Sequence, residues 1–242
     1  MRALLPVTAV LGTIDEAAGL RLLLPALRSV VREIVVVDDD SRDASRTVAR
    51  AAGAVVVERP RRLGIGSAVY AGVAAASEPA IATIDADLSH PPLALADAHE
   101  RLAAGWDIVR FSRFLPGSEW PGHPGRRLAL AVFGRVLAAA CRLPLTDPTN
   151  GFMLARRECF AGPTRFTTDT GEGWVAEFLA RNRGRRMIEL PYAHGPRHQG
   201  RSHFTAAQEL SRALRSFRFG IRRHASATGE RPTPRAARSP LA

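Results

Sequence analysis

The sequence predicts an α/β fold, a mostly parallel sheet flanked by helices, and three observations carry that prediction. Apolar runs of strand length alternate with stretches of helical period along most of the chain, the pattern of a sheet wrapped by helices. The run Ile34-Val35-Val36-Val37 is continuous rather than alternating, as in a parallel strand buried on both faces. That run and a second one, from Ala80 to Ile84, lead straight into acids. Ligands of open α/β sheets bind there, beyond the carboxyl ends of the strands.

The first strand is expected over residues 3–11. Met1-Arg2-Ala3-Leu4-Leu5 superficially resembles a signal peptide, but Asp15-Glu16 follow at once with no plausible cleavage site, so a strand is the better reading. A helix over 16–30 leads to a second strand, 33–38, which runs into Asp38-Asp39-Asp40-Ser41-Arg42-Asp43. Ser41 or Asp43 suits the start of the next helix, 44–52. Capping uses one residue, so three consecutive aspartates exceed it and leave Asp38 or Asp39 to bind a base or ribose. A strand at 54–58 and a helix at 64–76 precede the strand at 80–85. Helices at 93–104 and 126–141 bracket a strand at 108–111, and a helix at 174–182 precedes the last strand at 187–191. No internal repeat or linker interrupts this order. One domain is expected over 1–224, closed by a helix near 206–223, with a disordered, aperiodic tail at 225–242.

Composition narrows the function. The chain has 242 residues, enough for one sizeable α/β domain, and a net charge of +11. It contains no lysine, so all 34 of its Lys/Arg residues are arginine. Cys141 and Cys159 lie in separate apolar contexts and read as buried free thiols of a reducing compartment. The longest apolar stretch, 128–141, is interrupted by Arg135 and is too short to cross a bilayer. Arg-rich segments at 181–186 and 212–223 suit an anionic substrate or an anionic membrane. Nucleic acid is not expected as a partner, since only 6% of residues are aromatic and no nucleic-acid-binding motif appears. Leu210, Leu214, Phe217 and Ile221 recur at helical spacing beside Arg212, Arg215, Arg218, Arg222 and Arg223. That composition fits an interfacial amphipathic helix or a helix docked on the core. The expected location is cytoplasmic, with peripheral contact on the inner membrane face.

The densest chemistry is Asp85-Ala86-Asp87-Leu88-Ser89-His90-Pro91-Pro92. In an extended segment residues i and i+2 point the same way, so Asp85 and Asp87 are expected to converge. Mg²⁺ or Mn²⁺ bridging a diphosphate suits such a pair, because a hard cation takes one or two carboxylates plus phosphate oxygens.

Five segments in order resemble an inverting family-2 glycosyltransferase of the GT-A type. Within that family the chain is most similar to the polyprenol-phosphate (dolichol-phosphate) mannosyltransferases. Gly12-Thr13-Ile14-Asp15-Glu16 resembles the family's Pro-Thr-Tyr-Asn-Glu opening, and Val37 to Asp43 resembles Val-Asp-Asp-Gly-Ser-x-Asp. Arg62-Leu63-Gly64-Ile65-Gly66-Ser67-Ala68 resembles Lys-x-Gly-Leu-Gly-x-Ala. The Asp85-to-Pro92 run resembles Asp-Ala-Asp-Leu-x-His-x-Pro. The distal match joins Asp147 to Phe152, Glu189-Leu190-Pro191 and Arg197-His198-Gln199-Gly200-Arg201-Ser202. The likeness covers about residues 3 to 205. Departures are Gly12, Ile14, Asp15, Asp40 in place of Gly, and His203 in place of Lys.

The resemblance implies a GT-A nucleotide-sugar-binding fold and transfer of a sugar, mannose by similarity, from a nucleotide sugar to a polyprenyl phosphate. Thr13 and Glu16 would line the nucleoside pocket, with Asp39 on the base or ribose. By the same resemblance Asp87 would be the inner-sphere ligand and Asp85 would bind metal or orient ribose. A phosphate acceptor is already ionised near neutral pH and needs cationic clamps rather than a general base. Arg113, Arg126 or Arg127, and Arg197 with Ser202 are the candidates. An alcohol acceptor would instead call on Asp169 or Glu172 as base. Other readings are a soluble family-2 enzyme acting on an alcohol of a natural product or surface polymer, a nucleotidyltransferase, or a non-catalytic basic binding protein.

Overall fold

The computed structural model describes residues 3–121, 123–162 and 173–195. The chain runs β1 (Leu5–Thr13), α1 (Ala17–Arg28), β2 (Val31–Asp39), α2 (Ser45–Ala51), β3 (Val55–Arg59), α3 (Ile65–Ala75) and β4 (Ala80–Thr83). It continues with α4 (Leu95–Ala103), β5 (Ile108–Ser112), α5 (Pro124–Cys141), β6 (Met153–Arg156), α6 (Trp174–Arg181) and β7 (Met187–Pro191). Every element expected within the described residues is present, with ends shifted by a few residues. The strand expected over 80–85 ends at Thr83. β6 is additional: its four residues, Met-Leu-Ala-Arg, carry no β-branched side chain, and so short an apolar run has no periodicity to betray it.

The seven strands form one sheet in the order β3-β2-β1-β4-β6-β5-β7. β3, β2, β1 and β4 are mutually parallel, as are β5 and β7. β6 alone runs antiparallel, between β4 and β5. Neighbouring residues of the β2 run divide between two cores. Val35 and Val37 pack with α3, α5 and α6, while Ile34 and Val36 pack with α1, α2 and α4. All four are at most 3% exposed, which is why the run is continuously apolar.

α5 is only half docked. Leu137, Ala138 and Cys141 are buried, but Leu128, Val132 and Val136 are 66%, 51% and 48% exposed. Cys141 and Cys159 are free and buried; burial pushes the Cys159 thiol up to about 11. Among the described residues no helix is long and apolar enough to cross a membrane. The helix expected near 206–223 and the tail lie outside the described residues.

Candidate active site

The carboxyl ends of β1, β2, β4 and β5 all lie at the same end of the sheet. The first two segments lock together by side chain to backbone bonds. Ser41 Oγ accepts the Asp15 N–H at 3.0 Å, and Asp15 Oδ1 accepts the Arg42 N–H at 2.7 Å. Ser45 Oγ accepts the Glu16 N–H at 2.9 Å. Asp43 receives the Ala17 N–H at 2.9 Å and the Ser45 N–H at 2.8 Å, so one carboxylate serves the starts of both α1 and α2. Asp15 and Asp40 take left-handed backbone, φ 55° and 61°. Aspartate tolerates that region better than most residues, which accounts for Asp40 standing where a glycine is usual.

Thr13 and Asp38 meet where β1 and β2 end, Thr13 Oγ1 3.5 Å from Asp38 Oδ2. Asp38 also accepts the Ser41 N–H at 3.0 Å. Asp39 turns the other way. Arg59 Nε donates to one of its oxygens, and the Leu63 N–H donates to the other at 3.2 Å. Arg59 continues to Ser67 Oγ at 2.6 Å and the Gly64 carbonyl at 3.2 Å. Asp39 therefore fastens the glycine-bearing segment before α3 to the end of β2.

Asp85 and Asp87 do not lie in the strand that was expected to align them. They lie past the end of β4, in a turn rather than a strand. Leu88 reverses the backbone with φ 67°. Ala86 is buried, while Asp85 and Asp87 reach the surface. The turn is held from three sides. The Asp85 N–H donates to His90 Nδ1 at 3.1 Å, Asp87 Oδ1 accepts the Ser89 N–H at 3.0 Å, and the Gly195 N–H donates to the Ser89 carbonyl at 3.0 Å. Because His90 Nδ1 accepts, the neutral ring carries its proton on Nε2, 3.8 Å from Asp85 Oδ2. Burial pushes the His90 pKa down against the pull of Asp85 and Asp87. Its ring stacks on Phe152 at 4.7 Å.

Among the described residues no three His, Cys, Asp or Glu side chains gather to hold a metal. Two outward carboxylates do not make an all-protein cage. They fit a cation that brings its other oxygens from a diphosphate and water.

Arg113 follows β5 directly. Its Nε and Nη2 donate to Asp147 at 2.7 and 2.8 Å, and Nη2 also reaches Thr149 Oγ1 at 3.0 Å. Asp147 is wholly buried. Burial pushes its carboxyl up, but Arg113 outweighs this and holds it below the ordinary value. The Arg113 and Arg126 guanidinium carbons lie 5.9 and 6.0 Å from the ring centre of Trp120, so that ring brings two cationic groups to one place. Arg127, on the first turns of α5, is half-buried. Tyr192 Oη meets His194 Nδ1 at 2.8 Å and receives Asn150 Nδ2 at 3.1 Å, tying β7 to the loop before β6.

Arg197, Ser202, Asp169 and Glu172 lie outside the described residues. Glu177 is buried in α6 and paired with Arg181. Sequence reasoning assigned no role to His90, Arg110, Trp120, Asp147, Glu189 or Tyr192. The motif matches contained His90, Asp147 and Glu189, but their partners are set only by the fold.

A profile described as glycosyl transferase family 2 matches residues 9–161. The dolichol-phosphate mannosyltransferase of Pyrococcus furiosus is 30% identical over 208 residues, covering 81% of this chain and 58% of that protein. The undecaprenyl-phosphate 4-deoxy-4-formamido-L-arabinose transferase of Pseudomonas paraeruginosa is 31% identical, covering 85% of this chain and 62% of that protein. The chain thus spans about three fifths of these two relatives. Among solved structures, glucosyl-3-phosphoglycerate synthase of Mycobacterium tuberculosis, in complex with Mn²⁺, UDP and glucosyl-3-phosphoglycerate, superposes with a TM-score of 0.67. That match is 23% identical and covers 91% of this chain and 80% of the other; it shows a shared GT-A fold.

Proposed function

The chain belongs to glycosyl transferase family 2, and from that premise we propose that it transfers a mannosyl unit from GDP-mannose to a polyprenyl phosphate, with inversion. Family membership sets aside the nucleotidyltransferase and binding-protein readings. The observation that carries the proposal is that acids and arginines follow strands ending at the same end of the sheet, with Asp85 near enough to act on the Arg113 charge. The carboxylates of Asp85 and Asp87 follow β4, and the arginines around Trp120 follow β5. The first suits a donor diphosphate and the second an ionised acceptor. The named activities of the Pyrococcus and Pseudomonas relatives support a polyprenyl phosphate as that acceptor.

In this reading Thr13, Glu16 and Asp38 line the nucleoside pocket, and Asp39 shapes its wall through Arg59. Asp85 and Asp87 would hold a Mg²⁺ or Mn²⁺ ion for the donor. Bound there, the ion supplies Lewis-acid neutralisation of charge on the departing nucleotide. Arg113, with Arg126 or Arg127 and with Arg197 and Ser202, clamps the acceptor phosphate. The phosphate oxygen attacks the anomeric carbon without a general base, because it is ionised already. Peripheral contact with an anionic bilayer belongs to the same proposal. It is supported by the exposed Leu128, Val132 and Val136 of α5 and the Arg-flanked stripe from Leu210 to Ile221.

The test is a donor screen over GDP- and UDP-sugars with Mn²⁺, followed by polyprenyl phosphate and alcohol acceptors presented with anionic vesicles. Asp87→Ala should abolish transfer while the circular dichroism stays native. Undiminished transfer in EDTA or in Asp87→Ala would remove the metal assignment. Transfer to alcohols alone would replace the lipid-phosphate acceptor with the alcohol reading.

A further inference from the structure

β5 carries an arginine where a strand buried on both faces would ordinarily take an aliphatic residue. Arg110 is 0% exposed. Its Nη2 donates to the Asn150 carbonyl, while Nε and Nη1 are buried without a hydrogen-bond partner. Such a charge is costly to bury, and a well-packed apolar residue would commonly serve stability as well or better. Something other than packing has to account for it.

Its surroundings supply a reason. Glu189 stands directly beside Arg110 in the β5–β7 register. Glu189 accepts the Thr146 N–H at 2.7 Å, the Thr146 hydroxyl at 2.9 Å and the Asp147 N–H at 3.0 Å. Asp147, which that bond positions, accepts the double bond from Arg113. The end of β5 therefore gathers two carboxylates, Asp147 and Glu189, against two guanidinium groups, Arg110 and Arg113. With Arg110 the group is neutral and Arg113 can face an incoming anion. Without it the same group carries one net negative charge directly behind Arg113.

We propose that Arg110 is a positioning residue for the anion subsite, a buried counter-charge that offsets Asp147 and Glu189 so that Arg113 attracts phosphate. The inference rests on the reading of Arg113 as an acceptor-phosphate clamp. Arg113 lies three positions beyond Arg110, a backbone rise of about 10 Å that sets the scale of their separation. At an effective dielectric near 20, a unit charge at that distance changes anion affinity by roughly tenfold.

The experiment titrates farnesyl phosphate into the full-length chain at low salt and follows the dissociation constant, with Mn²⁺-dependent GDP binding as the donor-side control. Arg110→Met should weaken farnesyl phosphate binding roughly tenfold and leave GDP binding unchanged. Arg110→Lys should keep it near wild type. Arg110→Met with Glu189→Gln should recover most of the loss, because the pair restores neutrality. Glu189→Gln alone should tighten binding, and this arm decides the matter even if Arg110→Met does not fold. Unchanged affinity in folded Arg110→Met, failure of the double variant to recover, or no tightening in Glu189→Gln would each overturn the proposal. If Arg113→Ala leaves farnesyl phosphate binding intact, the clamp reading falls and takes the proposal with it. If Arg113→Ala abolishes binding while the Arg110 and Glu189 variants change nothing, only the counter-charge is wrong.

Discussion

Replacing Gly19 by alanine should damage the donor site far more than it damages the fold. Gly19 sits in the first turn of α1, and a Cβ there would lie 2.3 Å from the Ala86 carbonyl oxygen. Carbon–oxygen contacts settle near about 3.3 Å, so roughly 1 Å must be found. Neither side is a flexible side chain. One is helix backbone, and the other is the turn between Asp85 and Asp87, pinned by His90 and Gly195. Overpacking costs about 1–3 kcal/mol, and alanine returns about 1 kcal/mol of helix propensity. The net loss is then about 0–2 kcal/mol, a melting point lowered by less than about 8 °C. A 1 Å displacement of groups that hold a substrate can cost about 10²-fold in rate. The assay compares Mn²⁺-dependent donor hydrolysis with thermal unfolding, using Gly184→Ala, where a Cβ meets nothing within 4 Å, as the control. Wild-type hydrolysis by a folded Gly19→Ala protein would refute the reasoning.

Two further outcomes concern stability. Asp147→Asn should destabilise the protein by about 3–5 kcal/mol at neutral pH, since it breaks a buried pair and strands Arg113. The folded carboxyl is held below its ordinary value, so the wild-type advantage is present above the unfolded pKa of about 3.9 and is lost as pH falls through the lower folded value. Urea titrations from pH 7 to pH 3 should show the gap closing, and a constant gap would contradict the pairing. Asp40→Val should cost about 1–2 kcal/mol because a β-branched residue is forced into left-handed backbone, whereas Asp40→Gly should be nearly neutral in the same denaturation assay.

The sheet strands and helices were legible because each carries its own periodicity, and the acids at 38–43 and 85–87 were legible because strand ends place them. Asp85 and Asp87 were expected to align by strand alternation. The chain turns there instead, with Leu88 at positive φ and the Ala86 carbonyl packed against Gly19, so their relation is set by the turn and not by a strand's period. Asp43 was expected to serve one helix and serves two, since its second bond joins residues 26 apart. The contacts around the end of β5 were hidden for the same kind of reason. Arg113 meets Asp147 across 34 residues, and Arg110 meets the Asn150 carbonyl across 40. Asp39 read as a free ligand because its partner Arg59 lies a strand away.

The antiparallel position of β6 has a consequence during synthesis. β3, β2, β1 and β4 all lie within the first 83 residues and can pair as soon as they emerge. The outer edge of β4 then waits for β6, whose first residue comes 70 positions later, at 153 against 83. At about 5–20 residues per second the nascent half-sheet shows an open, apolar edge for about 4–14 s. β4 is Ala-Ile-Ala-Thr, with no charge to discourage a neighbour, and such edges recruit other strands. The interval in which this chain is vulnerable to mispairing is therefore set by translation speed between β4 and β6, and slowing the ribosome there should lower soluble yield without altering the finished enzyme.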